Sequence, residues 1–306
     1  QRWNQSLLLK PSQAIDASVL EQALQALVAH HDALRLSFSE GAEGWTAMHR
    51  APDNRPLLQQ ADVQHTDEIE AVCDAAQGSL DLQDGPLLRA VLLNVADGSQ
   101  RLLLAIHHLV VDGVSWRVLL EDLQNACEQA QSGQGIKLAA KTSPFKDWAQ
   151  RLQTFAAGEL HNELTWWAGQ LGEAPADLPC NNPAATLQNR HVVSVETRLN
   201  ADQTRQLLQQ APAAYRTQIN DVLLTALARV ICRWTGQAST LIQLEGHGRE
   251  ELFDDIDLSR TVGWFTSLFP VRLTPAVGLA DSLKSVKEQL RGVPNKGLGF
   301  GALRYL

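Results

Sequence analysis

Two apolar runs joined by a short turn constrain the fold of this chain more than any other feature. The runs are Leu87–Val95 and Arg101–Leu109, and the turn between them contains Asp97-Gly98. An Asp-Gly pair between apolar runs is the strongest short-range signal for a β-hairpin, because both residues tolerate the positive φ that a tight turn requires. The sequence therefore predicts two antiparallel strands, the second of which carries His107-His108 near its end.

Helix and strand patterns alternate along the rest of the sequence. Apolar residues at helical spacing follow the two histidines and predict a helix at Val114–Ala130, with Ser115 near its start as a candidate cap. This alternation predicts a mixed α/β architecture that is repeated about twice. The further predicted elements are strands at Asn4–Lys10, Trp45–His49, His191–Leu199, Thr240–Glu245 and Phe265–Leu273, and helices at Ile15–Leu36, Asp67–Gly78, Pro144–Leu171, Asp202–Ala211, Asn220–Thr235 and Leu279–Arg291.

A change in composition marks the predicted boundary between two lobes. Residues 173–190 contain three prolines and the pair Asn181-Asn182, a composition typical of a linker or a long crossing loop. A chain of 306 residues is long enough for about two domains. We therefore expect an N-terminal lobe at 1–172 and a C-terminal lobe at 191–306.

Composition and missing motifs exclude several classes of protein. The net charge is -8, and no basic stripe is present that could neutralise the phosphates of a nucleic acid. No apolar run approaches the roughly 20 residues that span a bilayer, and no leader pattern is present, so we expect a cytoplasmic protein without a membrane partner. The four cysteines form no CxxC pair, which favours buried free thiols over zinc or disulfides. The signatures of serine hydrolases, dinucleotide folds and P-loops are missing as well.

The segment from His107 to Gly113 has residue types that could carry chemistry. Side chains alternate across a strand, so the adjacent histidines would point to opposite sides, one into the core and one into open space. Asp112 follows on the turn, where a carboxylate can orient an imidazole or pair with a distant arginine, and Gly113 would allow a backbone path that a Cβ would block. Two interpretations stay open on this pattern alone: a general acid or base, or a pair of structural histidines.

A second histidine pair, His30-His31, lies in a helical pattern. Adjacent residues diverge by about 100° around a helix axis, so the two rings do not converge easily on one substrate. We expect this pair to form a solvated helix end with a structural role.

The segment Leu244–Glu250 follows a predicted apolar strand and contains a histidine between two glycines. A partly desolvated Glu245 at the end of that strand could accept or donate a proton near neutral pH. Alternatively, Glu245 pairs with Arg249 or Arg260 in a simple turn. A metal site that combines Glu245 and His247 with the first histidine pair matches no known ligand spacing, and we expect no metal.

Four stretches of the sequence together resemble a known family. His107–Leu123, HHLVVDGVSWRVLLEDL, is similar to the HHxxxDG motif of condensation-type domains in nonribosomal peptide synthetases, and its Val-Ser-Trp-Arg resembles the epimerization subclass. Leu244–Glu250, Arg260–Val271 and Pro294–Leu306 resemble further epimerization-domain signatures in the same order. The resemblance covers essentially all 306 residues.

The resemblance implies a particular fold. Two chloramphenicol-acetyltransferase-like lobes would form a V with a central channel. The family motifs expected before Arg2 and after Leu306 are absent from the sequence. We therefore expect a fragment whose second lobe is incomplete.

The resemblance also implies a reaction and the residues that perform it. The Cα of a carrier-bound aminoacyl or peptidyl thioester would be inverted from L to D by removal and return of a proton. His108 and Glu245 would be the catalytic pair, one from each lobe, and Asp112 would be structural through a pair with an arginine. The other residues implied to shape the site are His107, Gly113, Ser115, Trp116, His247 and Arg249.

Partners follow from the same resemblance. The substrate would arrive on the phosphopantetheine arm of an upstream peptidyl carrier domain, next to other modules of one synthetase, and the domain itself would bind no cofactor. The alternative is a condensation domain, which forms a peptide bond between two carrier-bound substrates and would share the first motif but not the signature around Glu245. A non-catalytic relative that recruits partner proteins would tolerate the loss of His108 or Glu245, and both are present.

Overall fold

The computed structural model describes residues 3–42, 44–53, 55–172, 178–182, 184–186 and 188–306. The chain has an α/β fold and forms two compact units. The first unit consists of Gln1–Arg151 and Glu251–Thr266, and the second of Leu152–Glu250 and Ser267–Leu306.

A four-stranded sheet forms the centre of the first unit. Its strand order is β1-β6-β5-β4, with β1 and β5 antiparallel to β6 and with β4 parallel to β5. Strands β2 and β3 form a separate antiparallel hairpin. The elements in chain order are β1 (Asn4–Leu9), α1 (Ala17–His30), β2 (Leu36–Gly41), β3 (Gly44–His49), β4 (Leu58–Val63), α2 (Glu68–Gly78), β5 (Leu88–Val95), β6 (Gln100–His107), α3 (Gly113–Gln131) and α4 (Phe145–Ala156), within which the chain passes to the second unit.

The predicted hairpin is confirmed as the β5–β6 pair. Leu88 lies opposite Ile106, and Gly98 in the turn has a φ of +80°. Alternate side chains of these strands enter two different cores, as the two-residue period of a strand requires. One core packs Leu92 and Leu104 against α1 and α3, and the other packs Leu93 and Leu103 against α2. The sheet is therefore covered by helices on both faces, which explains why both strands are almost continuously apolar.

Residues Glu251–Thr266 belong to the first unit although they follow most of the second unit in sequence. Val262 lies in the core with α1 and α3. Ser115 Oγ donates to the carbonyl of Gly263 at 2.9 Å and accepts its N–H at 3.1 Å. Because of these contacts the division falls at Arg151 and differs from the boundary that we predicted within 173–190, part of which lies outside the described residues.

The second unit contains a two-stranded antiparallel sheet, β7–β8, that runs from Thr240 opposite Leu273 to Gly246 opposite Ser267. Its core packs Trp167, Phe269 and Val286 together. After the end of α4 the elements are α5 (Leu164–Leu171), α6 (Ala201–Arg205), α7 (Ala211–Tyr215), α8 (Ile219–Thr235), β7 (Thr240–Gly246), β8 (Ser267–Leu273), α9 (Leu279–Arg291) and α10 (Leu298–Tyr305), with a π-helical turn at Gln206–Gln210 between α6 and α7.

One strand prediction and part of the cysteine prediction are wrong. The strand predicted at His191–Leu199 does not form, and Val193 and Val195 there are 85% and 96% exposed. The four cysteines are free as predicted, but only Cys73 is buried. Among the described residues, we find no helix with the length and apolar character that crossing a membrane requires.

Candidate active site

The two histidines of the first motif lie where β6 ends. The strand stops at His107, and a 3-10 turn at His108–Val110 leads to α3. The N–H of His107 donates to the carbonyl of Leu87 at 2.9 Å, and the N–H of His108 donates to the carbonyl of Trp3 at 2.8 Å. The residues that precede β5 and β1 thus fix the two histidine backbones from either side.

His107 is the buried member of the pair, with 5% of its surface exposed. Its Nδ1 accepts the N–H of Leu109 at 3.3 Å, so the neutral ring carries its proton on Nε2. Burial, as the largest cause, lowers the pKa of His107 below its usual value. These properties suit a neutral, structural imidazole.

His108 is half-buried and has a different hydrogen-bond pattern. Its Nδ1 lies 2.9 Å from the carbonyl oxygen of Val111. Because a carbonyl can only accept, Nδ1 must carry the ring proton, and Nε2 of the neutral ring keeps a lone pair, which faces the Gln5 amide at 3.1 Å. A general base needs such a nitrogen.

Asp112 is the cap of α3, a role that the sequence assigned to Ser115. Its Oδ1 accepts the N–H of Ser115 at 2.7 Å, and its Oδ2 accepts the N–H of Phe265 at 3.1 Å. The carboxylate is buried, so both backbone donors depend on it for a partner. These bonds to two backbone N–H groups give Asp112 a structural role, and the pair with an arginine that the resemblance implied stays a prediction.

Gly113 does not play the part that we predicted. A Cβ built on Gly113 would meet no heavy atom within 4 Å, and its φ lies outside the left-handed region. The prediction that a Cβ would block the backbone path is therefore wrong. Gly113 instead leaves open space over the exposed N-terminus of α3.

Two tryptophans that the sequence did not single out lie beside His108. The ring of Trp264 is 4.5 Å from the imidazole between centroids, and the ring of Trp3 is 6.5 Å away. Trp264 lies within the stretch Arg260–Val271 quoted for the resemblance, but only the folded chain brings it to His108. Gln5 was also missed, although its side chain contacts His108 directly.

A cavity of about 810 Å³ lies in the first unit next to the histidine turn. Its wall includes Leu109 and Val110, which follow His108, together with Phe145 and Trp264. A volume of this size falls in the usual range of small-molecule pockets. The turn after His108 therefore borders a space that can hold a small ligand.

Glu245 lies in β7, opposite Leu268 of β8. The residue is exposed, and its part in proton transfer stays a prediction. Arg260, one of the two arginines considered as its partner, pairs within the first unit with Glu121 and Asp122. Glu245 thus presents a carboxylate on the surface of the second unit.

A hydrogen bond and ion pairs stabilise the turn that follows Glu245. His247 Nδ1 accepts the N–H of Arg249 at 3.0 Å, and His247 Nε2 lies 3.2 Å from a carboxylate oxygen of Glu250. Glu250 also pairs with Lys296 at 2.7 Å. Gly248 has a φ of +67°, which a residue with a side chain rarely adopts. This turn fixes the backbone next to Glu245, and the implied part of His247 and Arg249 in shaping the site stays a prediction.

The second histidine pair is more buried than we expected. His31 is 6% exposed, and its Nε2 lies 2.9 Å from Asp122, whose other oxygen accepts from Arg260 at 2.5 Å. Burial lowers the pKa of His31 to about 4. The prediction of a solvated helix end is therefore wrong for His31, although a structural role fits.

A candidate metal cluster coincides with the second histidine pair. Among the described residues, His30, His31 and Asp122 place ligand atoms within 4.8 Å of one another. Both oxygens of Asp122 already have partners in His31 and Arg260, so an ion-pair network accounts for this cluster.

Comparison with known proteins places the chain in a family. The family model for the condensation domain matches residues 1–306. The chain is 48% identical over 321 residues to a linear gramicidin synthase protein from Brevibacillus parabrevis, covering 99% of this chain and 4% of that protein. It is 42% identical over 315 residues to surfactin synthase subunit 1 of Bacillus subtilis (strain 168), covering 99% of this chain and 9% of that protein.

Solved structures agree with this assignment. The epimerization domain from the third module of tyrocidine synthetase B is 38% identical, with a TM-score of 0.93, over 100% of this chain and 72% of that one. The first condensation domain of the calcium-dependent antibiotic synthetase shares the fold, with a TM-score of 0.79 at 20% identity, over 97% of this chain and 70% of that one. This chain belongs to the condensation-domain family of the nonribosomal peptide synthetases.

Proposed function

We propose that this chain epimerizes the Cα of an aminoacyl or peptidyl thioester from L to D during nonribosomal peptide synthesis. The observation that carries the proposal is the similarity to the tyrocidine epimerization domain, which reaches 38% identity over the full chain against 20% for the condensation domain compared above. The chain spans 4% and 9% of the two synthetases named above, so their complete activities are not transferred to it.

The residues fit the chemistry of a proton transfer at carbon. A thioester carbonyl acidifies the hydrogen on the adjacent Cα, and inversion requires that a proton leaves from one face and returns to the other. Two proton-handling groups are needed, one deprotonated and one protonated at the start of each turnover. We assign His108 and Glu245 to these roles, since Nε2 of the imidazole and the exposed carboxyl group can each hold a proton, and solvent supplies the proton to the group that starts the turnover protonated.

The substrate is proposed to arrive on the phosphopantetheine arm of an upstream peptidyl carrier domain. The relatives are subunits of multimodular synthetases, which supports carrier domains and other modules as the partners. Nothing in the proposed proton transfer requires a metal or a dissociable cofactor of the domain itself. We propose that the reaction takes place in the cytoplasm, without nucleic acid or a membrane.

A condensation activity is the second candidate. It is favoured by the family model, which matches the whole chain under the description of a condensation domain. In that case His108 would serve the attack of an acceptor amine on the thioester, and Glu245 would have no proton to transfer. The two activities differ in their product, which makes them separable in one assay.

The assay uses the chain joined to its carrier domain and loaded with an L-aminoacyl or peptidyl thioester in deuterated buffer. We expect the wild type to give D product with deuterium at Cα, and we expect His108→Ala and Glu245→Ala to lose at least about 100-fold in rate. The matched controls His65→Ala and Glu70→Ala alter exposed residues of the same types and should leave the rate unchanged.

Exchange of the Cα hydrogen without inversion identifies which of the two groups removes the proton from the L form. A variant that still exchanges the Cα hydrogen of the L substrate retains the group that deprotonates the L form. The epimerase assignment fails if the wild type leaves the substrate L and unlabelled but forms an amide when an acceptor carrier is supplied. It fails in part if only one of the two variants loses activity, since a single group would then suffice.

A further inference from the structure

We propose that Gln5 is a positioning residue for His108, whose ring it orients for catalysis by donating a hydrogen bond to Nε2 until the substrate takes that place. Gln5 belongs to none of the motifs quoted for the resemblance. The catalytic part of this inference rests on the proposed function of His108 as a proton-transfer group. The structural part, the protonation pattern of the ring, does not depend on which reaction the chain catalyses.

The orientation of the Gln5 amide is fixed by Trp116. The indole N–H of Trp116 lies 2.8 Å from Gln5 Oε1, and an indole nitrogen can only donate. The amide oxygen must therefore face the indole, because the opposite orientation would place two donors against each other. Trp116 is itself a core residue of α3 with 8% of its surface exposed, so its ring provides a rigid reference.

The same orientation turns the amide nitrogen toward His108. Gln5 Nε2 lies 3.1 Å from His108 Nε2. An amide NH2 group donates and does not accept, so the imidazole nitrogen must be the acceptor. This result agrees with the other side of the ring, where Nδ1 donates to the carbonyl of Val111 at 2.9 Å.

Four groups therefore form a chain of hydrogen bonds with a single direction. The indole of Trp116 donates to Gln5, Gln5 donates to His108, and His108 donates to the carbonyl of Val111. A proton placed on His108 Nε2 would point at the Gln5 NH2 group, and turning the amide to relieve this would leave the indole N–H facing a donor. The arrangement thus places the ring proton on Nδ1 and makes Nε2 the acceptor.

The backbone keeps Gln5 in place for this task. Gln5 lies in β1, opposite Ile106 of β6, and its neighbour Asn4 lies opposite His107. The N–H of His108 donates to the carbonyl of Trp3, two residues before Gln5. The sheet whose strand β6 leads into His108 therefore also carries the residue that orients it.

Two substitutions separate the position of the ring from its protonation. Gln5→Glu retains an acceptor for the Trp116 indole but replaces the donor toward His108 by a carboxylate. We expect a proton on His108 Nε2 in this variant and a loss of about 100-fold or more in kcat, with KM nearly unchanged. Gln5→Met removes the tether without supplying an acceptor, so we expect Nε2 to stay unprotonated and kcat to fall by about 10-fold.

The direct readout is the ring-nitrogen NMR spectrum of the chain with isotopically labelled histidine. We assign His108 by its absence in His108→Asn, and we measure which nitrogen carries the proton near neutral pH. The wild type should show a protonated Nδ1 and an unprotonated Nε2. The control is Gln60→Glu, which adds the same charge at an exposed position of β4 and should leave the His108 signals and kcat unchanged.

The outcomes distinguish this inference from the proposed function. A wild-type ring with its proton on Nε2, or a Gln5→Glu ring that keeps the wild-type pattern, overturns the role of Gln5 whatever the reaction. If the NMR pattern is as expected but kcat of Gln5→Glu equals that of the wild type, the positioning role in catalysis is overturned. Thermal unfolding of each variant shows whether the fold is retained. If Gln60→Glu changes the His108 signals as Gln5→Glu does, a general charge effect explains the change and the role of Gln5 is overturned.

Discussion

The histidines of this chain differ in which ring nitrogen is left to accept a proton. His107 and His247 each accept a backbone N–H on Nδ1, so their neutral rings carry the proton on Nε2. His31 has its Nε2 within 2.9 Å of a carboxylate and must donate there. Of these four rings, His108 alone donates from Nδ1 and keeps a lone pair on Nε2. Identical residue types thus acquire different chemistry from their hydrogen-bond partners.

The burial of His31 leads to a prediction about acid stability. Its pKa is lowered to about 4 in the folded chain, so the unfolded chain takes up a proton first as the pH falls. The contribution of His31 is complete above the unfolded pKa of about 6.5 and is lost as the pH falls toward 4. The unfolding free energy of the wild type should therefore fall when the pH is lowered from 7 to 5. We expect this fall to be smaller by about 1 to 2 kcal/mol in His31→Gln, which has no imidazole to titrate.

Urea unfolding at several pH values measures this difference. His65→Gln changes an exposed histidine and should keep the wild-type slope. A wild-type slope in His31→Gln would show that His31 does not titrate below its usual range.

At the same scale, the sequence identified the motif residues but not their partners. His108 and Asp112 are recognisable because they lie within one short motif. Gln5 and Trp264 contact His108 across about a hundred residues or more of sequence, and a local pattern contains no information on such pairs. Gly113 was misread because a glycine in sequence does not reveal whether the space beside it is filled.

At the scale of elements, the turn between β6 and α3 depends on one buried carboxylate. Asp112 caps α3 and accepts the N–H of the buried residue Phe265. We expect Asp112→Ala to lower the free energy of unfolding by about 2 to 4 kcal/mol, which combines a lost cap with an unpaired buried donor. The neighbouring variant Gly113→Ala, at an open helical position, should change it by less than about 1 kcal/mol.

Chemical denaturation of both variants measures the two values. If the two substitutions lowered the free energy of unfolding equally, the stability of this helix terminus would not depend on the Asp112 carboxylate in particular. A loss of activity in Gly113→Ala without a loss of stability would indicate that substrate occupies the open space.

Elements with strong local signals were predicted well, and those that depend on distant partners were not. The β5–β6 hairpin and the helix α9 were found because turn chemistry and apolar period are local. The parallel strand β4 was missed because its sequence, LQQADV, is largely polar and becomes a strand only by pairing with β5. The apolar residues of His191–Leu199 predicted a strand, but the structure gives that segment no partner strand among the described residues.

At the scale of the whole molecule, the first unit is assembled from two separate parts of the chain. Glu251–Thr266 supplies Val262 to the core and Arg260 to the buried Asp122. It also supplies the Gly263 backbone to Ser115. A contiguous N-terminal lobe that ends at residue 172, as the composition suggested, would lack all of these groups.

A comparison of two fragments tests which of the two boundaries yields a first unit that folds on its own. The fragment 1–172 would leave Asp122 without its arginine, a loss of about 3 to 5 kcal/mol for a buried pair, in addition to the lost hydrogen bonds between Ser115 and Gly263 and an emptied core position. Since whole domains are stable by only about 5 to 15 kcal/mol, we expect this fragment to show no cooperative unfolding. The fragment 1–151 joined to 251–266 by about eight Gly and Ser residues should unfold cooperatively. Such a linker spans roughly 16 Å, and the two pieces meet near the junction, where Arg151 Nε lies 3.7 Å from Asp255 Oδ1. Near-UV circular dichroism in urea distinguishes the two, and a cooperative transition for 1–172 equal to that of the joined fragment would restore the boundary at 173–190.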